Sequence, residues 1–187
     1  MKKYYPLKLE EYLDHKMLVS DLGSVSVGNC GVMGFACCDE RFGCGRKERY
    51  VKKIRFCMYG ADDRYDNVVC RGQEIGFERN RFSSLAVIGF TEIGSYSETV
   101  RCLRPDGSHK DVSVHFYHMF ENPEMLYELD YSERCNVAYK LKTNTYGMIN
   151  YFISIADIND ELTGIVLPDN DEIHISAITL IKQEAIS

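Results

Sequence analysis

The chain has 187 residues, 45% hydrophobic and 27% charged, a balance that excludes a disordered polymer and suits roughly one globular domain. A formal net charge of -6 offers no basic footprint for non-specific nucleic-acid binding, and no apolar run of about 18 residues is present to cross a membrane as a helix. The opening Met1-Lys2-Lys3-Tyr4-Tyr5-Pro6 lacks an apolar signal core, so a cytoplasmic location is expected, with neither nucleic acid nor membrane as partner.

In chain order, the apolar spacing from Leu9 to Leu18 predicts a helical turn or two, and two or three weak strands share the N-terminal region. Clearer strand signals follow at Ile54–Met58, Asn67–Cys70, Ser84–Phe90, Ser97–Leu103, Lys110–Phe116, Val137–Leu141, Ile149–Ile155, Leu162–Leu167 and Ile173–Ile181. These runs are rich in β-branched and aromatic residues and are broken by Gly, Pro, Asp and Asn, which gives about ten to twelve strands. Arg104-Pro105-Asp106-Gly107-Ser108 reads as a hairpin turn, because proline presets φ and glycine supplies a positive one. The alternation from Glu172 to Leu180 predicts a strand with one face on the core. Many short strands without intervening helices predict an all-β fold, an antiparallel β-sandwich or barrel, filling residues 1–187 as a single domain.

The chemistry-bearing residues are scattered. Eight cysteines, at 30, 37, 38, 44, 57, 70, 102 and 135, show no Cys-x-x-Cys spacing, and reduced thiols are expected, with Cys57, Cys70 and Cys102 as core residues. The segment from Arg41 to Arg55 carries Arg41, Arg46, Lys47, Arg49, Lys52, Lys53 and Arg55 against one acid, Glu48, and reads as a solvated loop and strand face or as an anion patch. No P-loop, dinucleotide fingerprint, nucleophile elbow or His-Glu-x-x-His occurs. His115, His118 and Glu121 would make a metal triad only if a helix put them on one face; in a strand they diverge. The acidic stretches Asp62–Asn67 and Asp169–Glu172 offer hard oxygens of the kind calcium takes, or cap their own turns.

The stretch Tyr65-Asp66-Asn67-Val68-Val69-Cys70-Arg71-Gly72-Gln73-Glu74-Ile75, followed by Arg81–Phe90, resembles a galactose-binding-like jelly-roll module found beside bacterial glycoside hydrolases, including α-mannosidase-type enzymes. The strand Thr99–Leu103 with its Pro105-Asp106-Gly107 turn is similar to the same module, as is the closing Ile165-Val166-Leu167-Pro168-Asp169 and Ile173–Leu180 pattern. The resemblance is strongest over residues 50–182. It implies a jelly-roll β-sandwich, a carbohydrate or glycan as ligand, a structural calcium and no other cofactor. Here the module is expected to stand alone, without a catalytic domain.

Under that resemblance, loops at one end of the sandwich would form the site, with Tyr65, Asp66, Arg71, Tyr117 and His118 as ligand contacts. Tyr59 and Tyr96, also at predicted strand ends, could join them. Asn67, Gly72 and Gln73 are assigned structural work: buried amides must find backbone partners, and a glycine inside a strand reads as a bulge or close approach. The family's Asp-Trp pair is replaced by Val114–Met119, and the chain has no Trp, which leaves a second reading open: a structural or protein-interaction domain that has lost sugar binding, with an exposed strand edge favouring a homodimer. A small hydrolase built on the acidic loops is the third.

Overall fold

The structure, a computed structural model, describes residues 4–22, 36–39, 42, 47–122, 135–143 and 147–182. Of the residues singled out above, Cys30, Arg41, Cys44 and Arg46 lie outside that set.

Among the described residues eleven strands follow in order: β1 Tyr4–Pro6, β2 Cys37–Cys38, β3 Glu48–Val51, β4 Ile54–Cys57, β5 Val68–Arg71, β6 Glu74–Thr91, β7 Tyr96–Leu103, β8 His109–Phe116, β9 Cys135–Thr143, β10 Met148–Val166 and β11 Asp169–Lys182. Every ladder between them is antiparallel, as the sequence predicts. The main sheet runs β1-β11-β6-β10-β7-β8, with β5 added to β11, β9 to β10 and β2 to β9, while β3 and β4 form a separate hairpin. The β7–β8 turn forms as read: Gly107 sits at φ 82° and Arg104 N donates to Ser108 O at 2.9 Å.

Three points of the sequence reading take a form with a physical cause. Leu9 to Leu18 holds one turn, within the turn or two expected, with Tyr12 N and Leu13 N both donating to Leu9 O, and it does not extend into a helix. A helix would put its apolar residues on one face, whereas Leu7 and Leu9 enter one core and Met17 and Leu18 another. The runs at 149–155 and 162–167 are one strand, β10, carried through a register shift between Asp157 and Asp160 where Asn159 takes φ 51°. Asparagine tolerates that left-handed conformation, so the bulge bends the strand without ending it.

Third, β11 is buried on both faces, not one. It lies with β6 and β10 in a wall between two cores. Leu85, Val87, Ile158, Leu162, Ile173, Ile175 and Leu180 face the first, which the β7–β8 hairpin covers through Val100, Val112, Val114 and Phe116. Ala86, Ile88, Phe90, Ile149, Tyr151, Ile153 and Ala177 face the second, covered by Met17, Leu18, Phe42 and the β3–β4 hairpin. A wall of this kind needs near-continuous apolar strands, which β6, β10 and β11 supply. The polar positions of the β11 alternation are accommodated locally. His174 is hydrogen-bonded and Thr179 donates its hydroxyl to Arg55 O, but Ser176 Oγ finds no partner. Cys57, Cys70 and Cys102 are buried free thiols in the first core, as expected.

Candidate functional site

Asp66 and Asn67 anchor a buried polar assembly where β5 and β11 meet the N-terminal segment. Asp66 is 0% exposed, and its carboxylate accepts Met17 N at 3.0 Å and Leu18 N at 2.8 Å. Asn67 Nδ2 donates to Asp66 Oδ1 at 2.7 Å, leaving Asn67 Oδ1 to accept from His15 Nδ1 and His174 Nδ1, each at 3.0 Å. His174 Nε2 lies 2.7 Å from Glu92 Oε1, and its ring stacks on Phe90 with centroids 4.9 Å apart. Each nitrogen of His174 thus faces an oxygen. Burial pushes the Asp66 carboxyl up to about 6, although the hydrogen bonds from Asn67 and Leu18 and the nearby Lys16 oppose the shift. Burial, and then the neighbouring His174, hold His15 below its ordinary value.

Lys16 completes the assembly. Its Nζ donates to the carbonyls of Gly60 (3.0 Å), Ala61 (2.9 Å) and Asp63 (2.7 Å), and sits 3.5 Å from Asp66 Oδ2. The first acidic stretch, read in sequence as a calcium loop or self-capped turn, therefore closes around an ammonium. In the second, Asn170 bonds Glu98 and accepts Glu172 N, and Tyr96 OH donates to Glu172. No group of three metal-capable side chains forms among the described residues. The members of the His115, His118, Glu121 triad bind elsewhere, to Ser97, the Glu92 carbonyl and Ser95 respectively.

The remaining sequence candidates are dispersed. Arg71 is exposed and pairs with Asp14 Oδ2 at 2.7 Å. Gln73 accepts Arg71 N and donates to Val69 O at 2.7 Å, and Gly72, at φ 70°, donates its N–H to Pro168 O. Gly72 therefore makes the turn joining β5 to β6; the expected bulge inside a strand is not there, because β5 leaves β6 and pairs with β11. Tyr65 is half-buried beneath the Arg64 guanidinium, 5.1 Å from its ring centroid. Tyr59 is buried, its hydroxyl accepting Leu9 N at 3.1 Å. Tyr117 is buried against Phe152, with centroids 5.0 Å apart. His118 accepts no strand partner of its own but bridges to the Thr91 end of β6, its Nε2 2.9 Å from Glu92 O. The structure thus joins Asp66, Asn67 and, through Glu92, His118, and leaves Arg71 and Tyr117 apart from them.

The open concavity lies elsewhere, and its cause is a split in the sheet. One edge of β10 pairs with β9 over Met148–Ser154 and with β7 over Gly164–Val166. Between those ladders, residues 155–163 have no strand partner on that side among the described residues. β8 runs alongside, tied by Ser154 Oγ donating to His115 O and by Lys110 Nζ donating to Ile158 O at 2.7 Å. The space left is a cleft of about 370 Å³, lined by Asp111, Ser113 and His115 of β8, Ser97 of β7, Ser154 and Asp157 of β10, and by Tyr117 and Cys135. His115 Nδ1 lies 2.8 Å from Ser97 Oγ, and burial holds His115 below its usual value, so its imidazole is neutral at pH 7. Burial pushes the Cys135 thiol up to about 12, so it stays protonated.

Of the cleft residues, sequence reading singled out only Tyr117 as a ligand contact and weighed His115 as a metal ligand. The missed signal was period two: Asp111, Ser113 and His115 share one face of β8, and Ser97 pairs across from His115. No helix among the described residues is long and apolar enough to cross a membrane. No curated protein matches the chain. Residues 47–184 match the AziU2-like beta-sandwich domain, which covers β3 through β11, and the chain belongs to that family.

Proposed function

We propose that the domain is a non-catalytic binding module whose ligand is a small polyhydroxylated molecule, with carbohydrate the class that fits, seated in the cleft between β8 and β10. The observation that carries this reading is the composition of the cleft. Two carboxylates, four hydroxyls and a neutral imidazole line a space of about 370 Å³ beside residues 155–163 of β10, which have no strand partner on that side among the described residues. Such a volume lies in the range of small-molecule sites, and hydroxyl-rich guests need paired acceptors and donors of this kind. A Cys135 thiol held in its protonated form by burial suits hydrogen bonding rather than nucleophilic attack. The galactose-binding-like jelly roll is the finer fold assignment that accompanies this function.

Titration calorimetry against a panel of mono- and disaccharides tests the proposal, with Asp157→Ala and His115→Ala in the cleft and Arg71→Ala as a distant control. The expected result is saturable binding weakened at least about tenfold by either cleft substitution and unchanged by the control. Silence across the panel with folded protein, or equal loss in the control, overturns it.

A further inference from the structure

At the opposite edge of the main sheet, β1, β4 and the start of β6 enclose a second pocket of about 400 Å³. Its walls are apolar: Leu7, Ile75 and the rings of Tyr5 and Phe77, which stand 6.1 Å apart and tilted by 58°. A Cβ on Gly76 would meet nothing within 4 Å, so the wall is open there.

Arg55 is the unusual member. Its Nη2 reaches Tyr4 O only at 3.4 Å, its Nη1 stands 3.8 Å from Glu48 Oε2, and its Nε is buried with no acceptor. A guanidinium has five N–H donors in a fixed fork, and leaving them unmatched in a partly buried setting is costly. Lys8, on the same rim, is exposed and makes no hydrogen bond or ion pair among the described residues. Arg55 and Lys8 face the one carboxylate that lines the pocket, Glu48, and Lys182 Nζ stands 5.4 Å from the Tyr5 ring centroid, so cations gather at the aromatic wall and suit an anionic guest.

We propose that this pocket binds a flat apolar carboxylate, an aromatic acid by class. Its carboxylate accepts from the Arg55 Nη groups, whose own contacts are long, and from Lys8, and its ring lies against Tyr5 and Phe77. The site is separate from the cleft and differs from it in its polar groups: this pocket sets cations beside aromatic rings, whereas the cleft carries carboxylates, hydroxyls and an imidazole.

The test titrates the full chain with 2-naphthoate, neutral 2-naphthamide and inorganic phosphate, followed by calorimetry and backbone amide shifts. Naphthoate is expected to bind at least about tenfold more tightly than the amide and than phosphate. Arg55→Met, which keeps the apolar stem, should reduce naphthoate affinity by about tenfold, and the exposed Lys8→Met by a smaller factor, while His115→Ala in the cleft changes nothing. Lys8→Met decides the matter if Arg55→Met fails to fold. Equal binding of acid and amide, phosphate binding as tight as naphthoate, naphthoate affinity indifferent to both substitutions, or no binding to folded protein overturns the proposal.

Discussion

At Asp66 burial and hydrogen bonding pull in opposite directions, and burial wins. The folded-state pKa of about 6 lies above the ordinary carboxylate value, so the folded protein takes up a proton that the unfolded chain releases. The stability this proton brings is fully present below about pH 4 and is lost as pH rises through 6. His15 works the other way: its lowered pKa costs stability as pH falls below 6.5. Comparing wild type with Asp66→Asn at each pH isolates the first effect, because His15 is common to both. The substitution should cost about 1–3 kcal/mol at pH 7, since an amide nitrogen replaces an oxygen facing Met17 N or Leu18 N. That deficit should grow by about 1 kcal/mol between pH 7 and pH 5, as read by denaturant unfolding. A deficit constant over that range would return Asp66 to an ordinary carboxylate. Sequence marked Asp66 and Asn67 as polar residues among apolar neighbours, and that much was legible. Their partners were not, because they come from residues 15–18 and from His174, and single-sequence spacing carries no information about which distant strands meet.

Among the elements, the β3–β4 hairpin is the one whose local chemistry disagrees with its shape. Val51 pairs with Ile54, so Lys52 and Lys53 form a two-residue turn with φ of 48° and 67°. Both positions favour Asn and Gly, and a lysine in the left-handed region costs of order 1 kcal/mol. Replacing the pair by Asn-Gly should therefore stabilise the protein by about 1–2 kcal/mol and raise Tm by roughly 3–6 °C in a scanning calorimeter. An unchanged or lower Tm would mean the lysines contribute an interaction that outweighs their strain. This turn was invisible in sequence because Val-Lys-Lys-Ile carries no turn residue. The β7–β8 turn was legible because Pro105 and Gly107 announce it. The length of β10 was missed for a related reason: Asn159 and its acidic neighbours look like a loop, yet they form a bulge that shifts the register while the strand stays paired with β6 on either side.

For the whole molecule, the N-terminal segment is the part that closes both cores. It lies outside the family match, which begins at residue 47. Leu7 and Leu9 enter the first core, Met17 and Leu18 the second, and between them Lys16 fills the carbonyl ring of residues 60–63 while Leu9 N caps Tyr59. A chain beginning at Lys47 would keep every strand of the matched domain but expose apolar surface on two sides and leave Asp66 without its backbone donors. It is expected to lose its cooperative thermal transition and to bind an apolar dye strongly; a sharp transition near the full-length Tm would show the segment to be dispensable. The all-β character and antiparallel pairing were legible because strand propensity and turn residues are local. The double-faced wall was not, because it depends on which elements cover β6, β10 and β11 from either side.

β1 lies beside β11, Tyr4 opposite Ile181, so the earliest described strand of the domain is neighbour to its latest. β11 is also the strand that pairs with β5 and with most of the second half of β6. The central wall is therefore incomplete until residues 169–182 have been synthesised, and the earlier strands must wait with one edge bare. Closure of this domain therefore waits on its last strand, and a nascent chain stalled a single strand short of it would be a client for chaperones rather than a partly working domain.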